Sequence, residues 1–393
     1  EGREQEEARP RRREEDGRRR RGRGVLAPRG DEGEGRWNVM TNLRDLDVIQ
    51  GGGRKLDEAL AAAVEHAEGR AEAVVVHSTC IPTVIGDDAE AVVARWQKRT
   101  KLPIVYLNHT TCKDFDVCLA LFRRLQEDPA FAKVKRRSRC VNLVGFPEGP
   151  ALREVSALLR EAGVEINARV MPSLSLAAVQ TYLAAEAQVL YPNGAYAKTY
   201  QEFFAHLPIK TLRLEAPYGW EGTKAWLRAV TGALGLQRAA QPALAKAAQG
   251  LAAGWDEARR RARGRSVAFV VDGFHMRRLS DPAQTWGVPL LRLLREMGFG
   301  VEVLCYGEAR RAAPGLSFFS KPEELERLLR EGAFQAVYSE YTYDSRLAQA
   351  GKAQFSLDCF EMGLAGAVRG LRRLDGICRW PLPRRYARFM GGS

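Results

Sequence analysis

Apolar strand segments alternating with amphipathic helices predict an α/β protein: three Rossmann-like, parallel-sheet domains in series behind a disordered N-terminal tail. The strands read as unbroken aliphatic or β-branched runs, such as Val74-Val75-Val76 and Val267-Ala268-Phe269-Val270-Val271. Such runs belong to strands covered on both faces, as in parallel sheets. The intervening segments carry helical spacing, and Gly or Pro marks many of their ends.

Residues 1–36 are almost entirely Arg, Glu and Gly. Such a segment buries too little apolar surface to offset the entropy of ordering, so a disordered tail is expected. Order is expected from Trp37. Asp47-Val48-Ile49 reads as a short strand, Gly51-Gly52-Gly53 as a tight turn, and Leu56 to His66 as a helix. The turn lacks the G-x-G-x-x-G spacing and the Lys-Ser/Thr of phosphate loops. Strand Ala73 to His77, helix Asp88 to Arg99, strand Pro103 to Leu107 and helix Asp114 to Gln126 fill an incomplete first domain, 37–139.

The second domain, 140–236, opens on strand Cys140 to Phe146 and helix Ala151 to Ala162. Strands Glu165 to Val170, Gln188 to Tyr191 and Thr211 to Leu214 alternate with helices Leu176 to Ala184, Tyr196 to His206 and Thr223 to Leu234. The Ala-rich, helical stretch 237–264 reads as a connector. The third domain, 265–393, takes strand Ser266 to Asp272, helix Pro282 to Met297, strand Gly300 to Cys305 and helix Pro322 to Glu331. Strand Ala336 to Tyr338, a strand near Gln354 to Leu357 and helix Gly363 to Leu374 complete it.

The chain of 393 residues is 45% apolar and 28% charged, and no stretch has the apolar length of a membrane span. No signal peptide is expected, because the basic N-terminus lacks an apolar core. Seven scattered cysteines fit a reducing, cytoplasmic setting better than a disulfide framework. The net charge of +13 resides mostly in arginines mixed with Glu along helices. That is a solvated surface, and specific nucleic-acid binding is not expected. H-E-x-x-H, C-x-x-C and G-x-S-x-G are all absent, which removes the footing for zinc and serine hydrolases.

Cys80 is the leading chemical group. It sits just past the carboxyl end of an apolar strand, where open α/β sheets place ligands, and hydroxyls Ser78 and Thr79 flank it. A helix start close by favours the thiolate, the form that binds iron. Packing as a small hydrophobe is the bland alternative. Cys112 also follows a strand end and could face the same crevice. Cys118, six residues on, faces elsewhere. His109, beside Cys112, reads either as a ligand or proton relay or as an exposed loop residue. Asp87 and Asp88 read as helix caps. Cys140, Cys305, Cys359 and Cys378 read as structural.

The stretch Ser78-Thr79-Cys80, followed by Ile85-Gly86-Asp87-Asp88, resembles a signature of the nitrogenase component 1 family, which includes molybdenum–iron protein subunits and their cofactor-assembly relatives. Weaker likenesses are Gly52-Gly53-Arg54-Lys55-Leu56, Val141-Asn142-Leu143-Val144-Gly145, Pro217-Tyr218-Gly219 and Gly264-Arg265-Ser266-Val267-Ala268. The resemblance covers about residues 40–375 and implies three domains around a shared crevice. It implies an iron–sulfur cluster held at a subunit interface by Cys80, with Cys112 as a candidate second ligand and Ser78, Thr79, Gly86 and His109 around it. It also implies a homologous component 1-type partner subunit and electrons from an ATP-dependent iron protein. The departures are equally specific. No cysteine precedes the Gly-Gly element, and Leu190-Tyr191-Pro192-Asn193-Gly194-Ala195 has no thiol where catalytic subunits carry a cofactor cysteine. His275, the last histidine, is too early to be the family's cofactor histidine. The resemblance thus points to a β-type or assembly-scaffold subunit. A metal-free structural or regulatory paralogue and a nucleotide- or sugar-binding tandem Rossmann-like protein are the alternatives.

Overall fold

The computed structural model describes residues 39–380 apart from 68, 108–118, 121, 124–125, 127–128, 172–174, 309–313 and 340–343. The expected disordered tail and most of the helix expected over Asp114 to Gln126 lie outside these residues. The chain divides into two compact units, Glu1–Arg124 and Leu125–Ser393.

In the first unit, helices α1 (Asp45–Gln50) and α2 (Gly53–Ala67) precede strand β1 (Val74–His77). A single turn, α3 (Cys80–Val84), then α4 (Ala89–Gln97) and β2 (Ile104–Leu107) follow. Strands β1 and β2 pair in parallel, Val74 beside Ile104 and His77 beside Leu107. Leu60, Val92, Val93 and Ile104 form a buried cluster between the helices and the sheet. The expected strand Asp47 to Ile49 is instead helix α1. The Asp47 carboxylate accepts the Arg44 N–H at 3.0 Å, closing a helical turn that a three-residue apolar run does not reveal.

The second unit opens on a short turn of helix, α5 (Pro129–Ala132). Its first half alternates β3 (Cys140–Val144), α6 (Pro150–Glu161), β4 (Glu165–Val170), α7 (Leu176–Gln180), β5 (Ala187–Leu190), α8 (Ala197–Glu202), β6 (Lys210–Arg213) and α9 (Trp220–Ala233). The strands run parallel in the order β4-β3-β5-β6. Helices α10 (Gln237–Ala248) and α11 (Ala252–Ala262) come next. The second half takes β7 (Ser266–Asp272), α12 (Gly273–Arg278), α13 (Leu290–Met297), β8 (Gly300–Tyr306), β9 (Leu316–Phe319) and α14 (Pro322–Glu331). It ends with β10 (Ala336–Tyr338), α15 (Ser345–Gln349), β11 (Ala353–Phe355) and α16 (Leu364–Arg379). Its parallel order is β11-β10-β7-β8-β9. Both orders are doubly wound: the chain leaves its first strand to one side and later returns to the other.

Several helices are shorter than their periodicity suggests, and hydrogen bonding gives the reason. In the first half, all four strands offer a polar side chain to one row: Asn167, Asn142, Gln188 and Thr211. Asn142 donates to the Tyr182 carbonyl at 2.8 Å. Asn167 donates to the Thr181 carbonyl at 2.9 Å and to Asn142 Oδ1 at 2.8 Å. Gln188 donates to the Phe204 carbonyl and to Thr211, both at 2.8 Å, and accepts from the Tyr182 hydroxyl at 2.6 Å. Buried amides must be paired. Here carbonyls at residues 181, 182 and 204 turn to the sheet, and the expected helices Leu176 to Ala184 and Tyr196 to His206 break into α-helix plus 3-10 turns.

Elsewhere, the helix expected over Pro282 to Met297 begins as a 3-10 turn, Pro282–Thr285, and stops at Trp286, whose backbone is left-handed. The helix proper starts after Pro289. Strand β9 and helix α15 were not expected from the sequence, being short and of mixed polarity. The stretch after Gln237 is helical but is no free connector. It breaks at Gly250, and Ala240, Leu244, Trp255 and Ala258 are buried in one cluster that spans both halves. Trp220 and Trp255 stack there at 5.7 Å.

The halves are joined by a reciprocal exchange of helix caps. The last helix of each half, α9 or α16, starts after a glycine with positive φ, Gly219 or Gly363. Glu296, on α13 of the second half, accepts the N–H groups of Trp220 and Glu221 at 2.6 and 3.0 Å. Glu154, on α6 of the first half, accepts the Ala365 N–H at 2.7 Å. Tyr218 and Met362 form an antiparallel bridge between the two cap segments, and the Gly363 N–H donates to the Pro217 carbonyl at 2.9 Å. Each carboxylate satisfies orphan donors and meets the positive end of a helix dipole. Glycine is required at both caps. A Cβ on Gly363 would stand 2.5 Å from Glu154 Oε1, and one on Gly219 would stand 2.5 Å from Glu296 Oε2.

Two outcomes follow for the caps. Gly363→Ala combines a left-handed backbone with the clash at Glu154 and should cost about 1–3 kcal/mol in urea unfolding, whereas Gly264→Ala, where open space surrounds the Cβ, should cost less. Burial raises the Glu296 carboxyl, with the Glu221 and Trp220 N–H groups opposing. A raised folded pKa binds protons more tightly than the unfolded chain, so its stabilising contribution is full below the ordinary Glu pKa and declines as pH rises through the raised value. The stability difference between the native chain and Glu296→Gln should therefore shift against the native chain as pH rises from the ordinary Glu value through the raised one. A shift in its favour would show that the two N–H bonds outweigh burial.

Candidate functional site

The Cys80 segment is shaped by strand pairing. Ser78 continues β1 by donating its N–H to the Leu107 carbonyl at 2.9 Å, and it is buried. Its hydroxyl donates to the Thr79 carbonyl at 3.0 Å. Thr79 and Cys80 then emerge exposed, and Cys80 opens the single turn α3 with a free thiol. Val84, closing that turn, is 83% exposed. The chain leaves through Gly86, at φ +75°, also exposed.

The two acids that follow divide their work. Asp88 caps α4 by accepting the Ala91 N–H at 2.9 Å. Asp87 reaches back 35 residues, and its carboxylate accepts the Gly52 N–H with both oxygens, at 2.9 and 2.7 Å. A Cβ on Gly52 would stand 2.6 Å from Asp87 Oδ2. The Gly-Gly turn and the Ile85-Gly86-Asp87-Asp88 segment are therefore bonded to each other, and the turn braces the loop bearing Cys80.

Sequence reasoning grouped Cys80 with Cys112 and His109. Both of the latter, and Cys118, lie outside the described residues. Cys140, Cys305, Cys359 and Cys378 are buried. Burial pushes the thiols of Cys140, Cys305 and Cys359 up, away from thiolate. Among the described residues, no three His, Cys, Asp or Glu side chains gather as a metal site. The exposed Cys80 thiol fits an iron–sulfur cluster as one ligand of a shared set.

A second constellation, which sequence reasoning passed over, lies in the second unit at the carboxyl ends of its strands. The loop after β5 meets the segment after α12: the Tyr191 hydroxyl donates to the Trp286 carbonyl at 2.6 Å and lies 3.1 Å from the Tyr218 hydroxyl. Desolvation pushes the Tyr191 phenol far up, so it stays protonated. Asp272 ends β7 beside the point where the strand order reverses. It accepts the N–H groups of Phe274 and His275 at 2.9 and 2.7 Å, and His275 Nδ1 lies 2.9 Å from the same Oδ1. The His275 N–H, and then its imidazole, hold this carboxyl below the usual range. Beside the pair stand two exposed aromatic groups: Phe274, whose ring meets that of His275 at 5.4 Å, and Tyr306, in register with Asp272. Arg278 lies over the Phe274 ring at 4.8 Å. The signal was an Asp-Gly-x-His run directly after the most apolar strand of a doubly wound sheet.

A model of the nitrogenase component 1 type oxidoreductases matches residues 18–357. The nitrogenase iron-molybdenum cofactor biosynthesis protein NifE of Clostridium pasteurianum is 26% identical over 210 residues, 51% of this chain and 44% of that protein. NifE of Rippkaea orientalis is 42% identical over 70 residues, covering 18% and 14%. NifE of Klebsiella pneumoniae is 28% identical over 178 residues, covering 41% and 38%. The match thus spans less than half the length of each of these relatives. The solved structure titled nitrogenase Cp1 at pH 5 superposes with a TM-score of 0.65 at 15% identity, over 88% of this chain and 78% of that one, so the fold is shared. Among the described residues no helix is long and apolar enough to cross a membrane.

In native protein, iodoacetamide should alkylate Cys80 and spare Cys140, Cys305, Cys359 and Cys378, as mapped by peptide mass. Modification of any of the four before Cys80 would contradict this exposure pattern.

Proposed function

The chain belongs to the nitrogenase component 1 type oxidoreductase family, and on that premise we propose that it is a scaffold-type subunit that holds an iron–sulfur cluster at a subunit interface. The observation that carries this reading is the Cys80 thiol: exposed, at the carboxyl end of β1, on a loop braced by the Gly52–Asp87 contact. A thiolate there can bind iron without rearrangement of the core. When bound, the cluster would supply low-potential electron storage and transfer.

The residues of this chain divide the remaining tasks. Ser78, buried and paired to β2, anchors the strand end from which Cys80 projects. Thr79 and Gly86 bound the exposed turn, and Gly86 gives the chain its left-handed exit. Cys112 and His109, placed after β2 in the sequence, are the proposed additional members. A four-iron cluster takes four thiolates as a rule, so a homologous component 1-type subunit supplies the remainder. An ATP-dependent iron protein is the proposed electron donor, and a reducing cytoplasm the setting. The NifE relatives favour cofactor assembly over substrate reduction as the role.

Anaerobic reconstitution with iron and sulfide, in the presence of the partner subunit, tests this. Cys80→Ala should lose most of the bound iron and visible absorption, with an unfolding change near the roughly 1 kcal/mol usual for a point mutation. Cys305→Ala should keep both. Equal iron in the two variants would make Cys80 a remnant and favour the metal-free paralogue.

A further inference from the structure

We propose that the segment Lys133 to Arg139, at the amino ends of the strands of the first half, is a docking surface for an acidic segment of a protein partner. Five of its seven residues are basic and none is acidic, unlike the mixed Arg and Glu of the helices. All five are exposed. They lie in the loop between α5 and β3, and hydrogen bonds tie that loop across the end of the sheet. The Arg137 N–H donates to the Ala184 carbonyl at 2.7 Å. Its guanidinium meets Glu165 at 2.7 Å and Asn167 at 2.5 Å, both on β4. The Arg139 N–H donates at 2.7 Å to Glu186, just ahead of β5, and Arg136 donates to the Pro208 carbonyl, just ahead of β6. The basic run is thus a ridge whose backbone is ordered before any partner arrives, which lowers the cost of binding.

Structural roles account for only part of the ridge. Cations gather where helices end, because carbonyl dipoles point outward there. That explains Lys210, whose ammonium donates to the Ala233 carbonyl at 2.7 Å, and Arg136 is likewise engaged by a carbonyl. It leaves Lys133, Lys135 and Arg139, whose side chains have no hydrogen bond or ion pair among the described residues. The two carboxylates beside the ridge are already engaged, Glu165 by Arg137 and Glu186 by the Arg139 N–H. Arg139 is the more telling residue. Its backbone is left-handed, at φ +58°, a conformation strained for any residue with a Cβ and relaxed for glycine. Two bonds hold it there, its N–H to Glu186 and its carbonyl from the Glu165 N–H at 2.9 Å. Strain kept at an exposed, unpaired cation points to a task for that cation. The run contains no aromatic side chain, so it offers nucleic-acid bases nothing to stack on. Carboxylates suit both of its donor kinds, guanidinium through paired hydrogen bonds and ammonium as a point charge.

The test uses the full chain and a fluorescein-labelled oligoglutamate peptide, with binding read by anisotropy at low salt. The triple variant Lys133→Ala, Lys135→Ala, Arg139→Ala should bind the peptide at least about tenfold more weakly than the native chain. A second triple variant, Arg259→Ala, Arg260→Ala, Arg263→Ala, removes the same charge from exposed positions at the end of α11 and should lose less than about threefold. Arg139→Gly separates binding from folding. It removes one cation and relaxes the backbone, so peptide binding should weaken while stability in urea does not fall. Equal losses in the two triple variants would reduce the attraction to net charge and overturn the proposal. Unchanged binding in Arg139→Gly would overturn it as well. So would tighter binding of an oligothymidylate of the same charge that is lost in the first triple variant, since the ligand would then be a nucleic acid.

Discussion

Two carboxylates hold the second unit in register. Glu154 on α6 and Glu296 on α13 each cap the last helix of the other half. Capping within a domain stabilises one helix. Capping across halves makes each helix start depend on the correct placement of the neighbouring sheet. The apolar cluster that spans both halves gives most of the binding free energy, but apolar contact is not directional. The caps, the Tyr218–Met362 bridge and the two glycines decide how the surfaces meet. The rim bearing Tyr191, Trp286 and the Asp272–His275 pair inherits its geometry from that placement.

The first unit solves a smaller problem in a related way. Its sheet is only two strands wide among the described residues, and its core cluster is small. The loop bearing Cys80 is fixed by a polar contact, Asp87 to Gly52, more than by packing. An exposed thiol on a braced loop is suited to a group that arrives from outside. A buried thiol such as Cys305 is protected from the same chemistry, and desolvation keeps it neutral.

Much of the fold was legible in the sequence because buried parallel strands leave a strong mark. Segments such as Val141 to Val144 and Val267 to Val271 can be little else. Parallel sheets and α/β alternation followed from them. The local errors have physical causes. Asp47-Val48-Ile49 has strand composition but no partner strand among the described residues, and an Asp47 cap settles it as helix. Helices after β4 and β5 break because Asn142, Asn167 and Gln188 claim their carbonyls, a demand set by residues distant in sequence. Of the site, Cys80 was legible from its strand-end position. The pairing of His275 with Asp272 shows only in the structure, because it depends on the turn that opens the helix after β7. The exchanged caps could not be read at all, since nothing local marks Glu154 as the partner of a helix near residue 365.

That last separation has a consequence for the order in which the chain can mature. The Glu154 carboxylate and the Ala365 N–H that it accepts are 211 residues apart. During synthesis at about 5–20 residues per second, Glu154 emerges about ten seconds or more before the N–H that it accepts exists. Over that interval the apolar residues that the first half later buries against the second lack their cover. The contacts that join the two halves are therefore complete only when the last helix is released.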